Sequence, residues 1–214
     1  MVQNLRASTT SYTVAPPDAV IERTVQALRE RANIQAVVVD NRAQALEALL
    51  SRLPEGAEVA LGASRTLEEI GFLAYLAQNP TRYRNLRTLA TSEPDAEKRA
   101  EIRRRTPIAD YYLGSVHALA ETGEAVIASL SGSQLAGYVF AARNVIWVIG
   151  AQKIAPDLQA ALRRVREHSL PMEDARMKQA GSAQGSRIGK LLIVESESRA
   201  GRISAILVRE PLGF

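Results

Sequence analysis

The chain has 214 residues, 46% apolar and 23% charged, with a net charge of +4, a composition suited to a globular domain with a sizeable core. It holds no cysteine and only two histidines, His117 and His168, which excludes disulfides, thiolate nucleophiles and thiolate-held metal centres and argues against any metal site. Its longest apolar runs, such as NVIWVIGA, fall far short of the roughly 20 residues of a membrane span, and no secretory signal core opens it, so a cytoplasmic protein without membrane contact is expected.

Residues 1–17 are polar, end at Pro16 and Pro17, and read as a flexible arm; residues 18–214 read as one domain. From Asp18 the spacing becomes helical, with Val20, Ile21, Thr24, Val25 and Leu28 on one face. IQAVVVD (34–40) is a β-branched run that suits a buried strand. The next helical stripe is Leu46, Leu49, Leu50 and Leu53, stopped by Pro54 and Gly56. AEVALG (57–62) is a strand and SRTLEEIGFLAYLAQ a helix, while LRTLAT (86–91) reads as a weak strand with a helix from about Glu93.

The segment 109–132 breaks this rhythm: ETGE lies between two extended runs, the pattern of a β-hairpin excursion. SGSQLAGYVFAA is a short helix, NVIWVIGA a central strand, and APDLQAALRRVREHSL a helix with Pro156 near its first turn. PMEDARMKQAG is a further short helix. KLLIVES and GRISAILVRE are two closing strands, expected to pair antiparallel. Strand–helix alternation with short connections is the signature of a layered α/β domain with a mostly parallel sheet. The arginine clusters RYRNLR and EKRAEIRRR stand beside no recognition motif, and the second alternates with acids, so no nucleic-acid partner is expected.

LGASRTLEEIG (61–71) admits two readings. In one, Thr66 caps a helix and Glu69 returns to it as a capping box, stabilising by about 1 kcal/mol. In the other, Gly62 turns the chain sharply at a strand end. The amides at Ser64, Arg65 and Thr66 then meet an anion, with Arg65 adding charge. LSGSQLAG (130–137) repeats the logic at Gly132, Ser133 and Gln134. Lys153 follows a glycine at another strand end and can reach the same edge. His117 reads as a structural histidine or as a catalyst beside that cleft. Glu121 reads as a solvated hairpin carboxylate, or as a nucleophile or general base next to the anion.

LGASRTLEEIG, ADYYLGSVHALAETGEAVIASLSGSQLAG, NVIWVIGAQKIAPDLQAALRRVRE, PMEDAR and GRISAILVREPLGF, in this order, resemble the LUD (lactate utilisation) domain family over residues 18–214. The resemblance implies a Rossmann-like three-layer sandwich like those of ribose-5-phosphate isomerases, coenzyme A transferases and glucosamine-6-phosphate deaminases. It places Arg176 and Lys153 at family positions, while His117, Ser133 and Gln152 depart from the usual asparagines. A cysteine-rich segment common in relatives is replaced here by AGSAQGSRIGK. The function implied is binding of a small organic-acid or phosphate-bearing metabolite in L-lactate utilisation. Iron–sulfur oxidoreductase subunits and a second copy of the chain are the expected partners, and this chain alone is expected to hold no cofactor. The alternatives are a coenzyme A transferase-like or sugar-phosphate enzyme using Glu121, and a non-catalytic regulatory or accessory subunit.

Overall fold

A computed structural model describes residues 12–214; the arm expected over residues 1–17 lies outside them up to residue 11. Its visible end is irregular chain in which the Tyr12 hydroxyl donates to Glu167 Oε2 at 2.8 Å. Helix α1 (Asp18–Glu30) buries Ile21, Thr24, Val25 and Leu28, the face anticipated from spacing. There follow β1 (Gln35–Val39), α2 (Arg42–Leu50), β2 (Glu58–Leu61), α3 (Arg65–Glu69) and α4 (Phe72–Gln78). The single helix expected over 64–78 is divided because Gly71 takes φ +83°, a left-handed conformation that glycine adopts without steric cost.

The next elements are β3 (Arg84–Asn85), α5 (Leu86–Ser92), α6 (Ala96–Arg105), β4 (Tyr111–Gly114), β5 (Ala118–Ala120) and β6 (Ala125–Ser129). The strand expected at 86–91 is a helix. Asn85 caps it by accepting from the amides of Arg87 and Thr88, and Leu86 and Ala90, one turn apart, are its buried pair. Then come α7 (Ser133–Ala136), a π-helical turn (Gly137–Ala141), β7 (Asn144–Gly150), β8 (Ile154–Ala155), α8 (Leu158–Arg164), a second π turn (Val165–Ser169), α9 (Leu170–Gln179), β9 (Lys190–Val194) and β10 (Ile203–Val208).

Six strands form a wholly parallel sheet in the order β1-β10-β7-β4-β2-β3. Alternate residues of its middle strands feed two cores. Val145, Trp147, Ile149, Ala205 and Leu207 join α1 on one face, while Ile146, Val148, Ile206 and Val208 join α2, α3 and α4 on the other. The expected hairpin is present as β5 and β6, in a second sheet ordered β8-β5-β6-β9. That sheet contributes Leu119, Ala125 and Ile127 to the first core and packs its far side on Ala161 and Val165. The result is a Rossmann-like layered sandwich.

The two closing strands do not pair with each other. β9 is antiparallel to β6, and β10 inserts parallel between β1 and β7. Burial explains the difference: β10 is apolar on both faces and needs cover on both, whereas half-exposed β9 suits a sheet edge.

Candidate functional site

Parallel strands point their carboxyl ends one way, and ligands of open α/β sheets gather at that edge. Three adjacent strands, β2, β4 and β7, each end there in a short turn: residues 62–64, residues 115–117, and a 3-10 turn at Ala151–Lys153. With α9 and residues 186–188, these turns line a cavity of about 310 Å³.

Ser64 is the cap of α3, accepting from the Leu67 amide at 3.3 Å. The cap expected at Thr66 is therefore two residues too late. Thr66 is fully buried, and its hydroxyl accepts from Lys153 Nζ at 2.9 Å. Glu69 does not return to Thr66 either; it accepts from the Gly213 amide at 2.7 Å and pairs with Arg65. Ser64 thus takes the Leu67 amide, and Gly213 packs beside Thr66, so helix capping at this turn falls to Ser64.

Lys153 is the floor of the cavity, only 2% exposed. Its Nζ also donates to Ser115 Oγ at 3.1 Å, and it makes no ion pair with a carboxylate among the described residues. Burial, reinforced by the charge of Arg164 and opposed by Glu69, pulls its pKa down to about 7. His117 lines the same wall, and its Nδ1 accepts from the Ala128 amide at 3.2 Å. Burial, then Lys153 and Arg164, depress its pKa to about 3, so the ring is neutral and carries its proton on Nε2. Arg164 is buried beneath it and donates to the His117 carbonyl and to Ser169 Oγ; its Nε has no hydrogen-bond partner among the described residues.

A profile of the LUD domain matches residues 21–211. The chain belongs to the LUD domain family. The crystal structure of a DUF162 family protein from Deinococcus radiodurans is similar to it with a TM-score of 0.53 at 13% identity, covering 89% of this chain and 96% of the other; that likeness concerns the fold. No curated protein matches the sequence.

In this LUD domain the cavity gathers most of the expected residues. Gly62, Ser64, Arg65, Thr66, His117, Gln134, Lys153 and Arg176 all line it. Gln134 is anchored by donating to the Ala128 carbonyl at 3.2 Å, and Arg176 forms a two-pronged pair with Glu173 at 2.6 and 2.7 Å. Gly132 and Ser133 fall outside. Gly132 takes φ +88° to start α7, and Ser131 is the hydroxyl that reaches the wall. Glu121 is also outside; it accepts from Arg23 of α1 at 3.0 Å. The hairpin turns toward α1 rather than toward the strand ends, so the structure does not bring Glu121 to the cavity. Gln152 binds main chain, holding Leu212 through both ends of its amide.

Four functional candidates were not singled out by sequence: Ser115, Arg164, Arg87 and Arg187. Ser115 follows Gly114 at a strand end, the same signal that marked Ser64. Arg164 sits in a helix rich in arginine, where the spacing alone does not separate a buried guanidinium from its exposed neighbours. Arg87 and Arg187 line the cavity from surface segments and make no ion pair among the described residues.

Proposed function

We propose that this LUD domain protein binds a small anionic organic metabolite, a carboxylate or a phosphate ester, in the cavity at the ends of β2, β4 and β7. Family membership supports a function associated with lactate utilisation at the level of the family. The observation that carries the reading is the charge of the lining. Five basic side chains, Arg65, Arg87, Lys153, Arg176 and Arg187, face two side-chain carboxylates, Glu68 and Glu173, with Phe214 also on the lining. Both side-chain carboxylates are already paired, with Arg65 at 2.9 Å and Arg176 at 2.6 Å. Arg87 and Arg187 are left to meet an anion from solution, and partial exclusion of water strengthens such contacts.

Isothermal titration with lactate, pyruvate and dihydroxyacetone phosphate tests this. Binding of at least one, weakened tenfold or more by Arg87→Glu with Arg187→Glu, is the expected result. Absence of binding by all three, or affinities indifferent to both charge reversals, would sink the reading.

A further inference from the structure

We propose that Lys153 is a nucleophile that condenses with the carbonyl group of an anionic carbonyl compound bound in this cavity. The proposal rests on the anion-binding reading above and narrows its ligand to acids or phosphate esters that also carry a ketone or aldehyde.

The first support is a count of hydrogen-bond partners. A neutral primary amine has two N–H donors and one lone pair, whereas an ammonium has three donors and none. Two acceptors surround Nζ: Thr66 Oγ1 at 2.9 Å and Ser115 Oγ at 3.1 Å. Each hydroxyl has a carbonyl for its own proton, Leu212 O for Thr66 at 3.4 Å and Val116 O for Ser115 at 3.3 Å. Thr66 can also donate to Ser115 Oγ at 3.4 Å, and in either arrangement each oxygen keeps a lone pair for Nζ. These contacts satisfy both donors of the neutral amine and leave its lone pair over, and no third protein acceptor is within reach of Nζ among the described residues.

The second support is electrostatic. Lys153 is desolvated and lies near a second buried cation, Arg164, the two conditions that activate a lysine for attack on carbonyls. No carboxylate among the described residues pairs with it to hold the extra proton. The third support is division of labour across the cavity. Arg87 and Arg187 sit in exposed segments of its lining, while Nζ lies at its floor. A ligand anchored by its anionic group at those arginines can place another group at the amine. A cavity of about 310 Å³ has room for such a two-headed molecule. The neutral His117 ring on the same wall has an Nε2–H to offer to the carbonyl oxygen, as a neutral imidazole polarises a carbonyl elsewhere.

The step balances without a co-reactant. Nζ attacks the carbonyl carbon, the π pair moves to oxygen, and one N–H proton passes to that oxygen to give a carbinolamine. The C–O bond then breaks, and the hydroxyl leaves as water with the second N–H proton. The nitrogen lone pair closes the C=N bond. Amine and carbonyl become imine and water.

Borohydride trapping decides the matter. The folded protein is incubated near neutral pH with pyruvate or with dihydroxyacetone phosphate, reduced with borohydride and mapped by peptide mass spectrometry. We expect one reduced adduct, on the peptide carrying Lys153, absent from Lys153→Arg and suppressed by excess lactate, which offers the anion without a carbonyl. Adduct with pyruvate alone assigns 2-oxo acids, and with dihydroxyacetone phosphate alone assigns phosphorylated ketones. Should Lys153→Arg fail to fold, the peptide map and lactate protection of the unsubstituted protein carry the test. Labelling spread over surface lysines such as Lys178 and Lys190, or no adduct while titration shows binding, overturns the imine and leaves the anion-binding reading standing. No adduct and no binding removes both.

Discussion

Arg202 and Lys153 are buried basic side chains at opposite ends of the same sheet, one just before β10 and the other just after β7. Arg202 is saturated. It meets Glu197 at 2.6 Å through Nη2 and at 2.7 Å through Nε, and donates to the carbonyls of Gly137, Tyr138, Val139 and Ala142. Those carbonyls belong to the π-helical turn and its exit, where helical bonding leaves acceptors to be met. Lys153 has two neutral hydroxyls and no carboxylate. A buried basic group with every valence met holds structure together. One left short of partners beside a cavity is a candidate for chemistry, because its remaining valence can be met by a ligand.

The comparison breaks first at Arg202. Arg202→Met strands Glu197 in the interior and should cost about 3–5 kcal/mol, read as a large fall in the denaturant midpoint. A small fall would show that burial alone does not make the pair structural. Lys153→Met should do the reverse: stability within about 1 kcal/mol of the parent, or greater, since a desolvated amine is replaced by an apolar chain of similar length. Because the folded pKa of Lys153 is depressed from 10.5 to about 7, the unfolded chain binds the extra proton between those values. The parent therefore loses stability as pH falls from 10.5 towards 7, and Lys153→Met should flatten that limb.

His117 sharpens the contrast on the acid side. Its pKa lies near 3 in the folded chain and 6.5 otherwise. Stability should decline as pH falls from 6.5 to 3, by up to about 1.4 kcal/mol per pH unit. His117→Gln, measured by denaturation across that window, should remove this component. The smallest effect is expected at the hairpin. Glu121→Gln loses one pair with a well-exposed arginine, at most about 1 kcal/mol, and titration should give unchanged ligand affinity. Tenfold weaker binding there would return Glu121 to the site.

The fold was legible because its strands carry their own signal. The β-branched runs of β1 and β7 and the α1 stripe each announce burial through local composition. What failed depended on partners distant in sequence. LRTLAT mixes β-branched and helical residues, and Asn85, just before it, supplies the cap. The pairing of β9 and β10 is set by which sheet can cover them, which no neighbouring residue encodes. The site shows the same division. Lys153 and Ser64 were visible as polar residues just past strand ends, whereas the position of Thr66 under Gly213, and of Glu121 against Arg23, is decided by chain segments more than ninety residues away.

The place of β10 has a consequence for how the chain is made. β1, near the start, pairs with β10 as its sheet neighbour, and β7 needs β10 along six residues of its length. A nascent chain leaves the ribosome with these two ladders waiting for a strand translated some 160 residues after the first. Until then their unpaired edges are open to pairing with other chains, and docking of this central parallel strand is a long-range event, of the kind that slows folding.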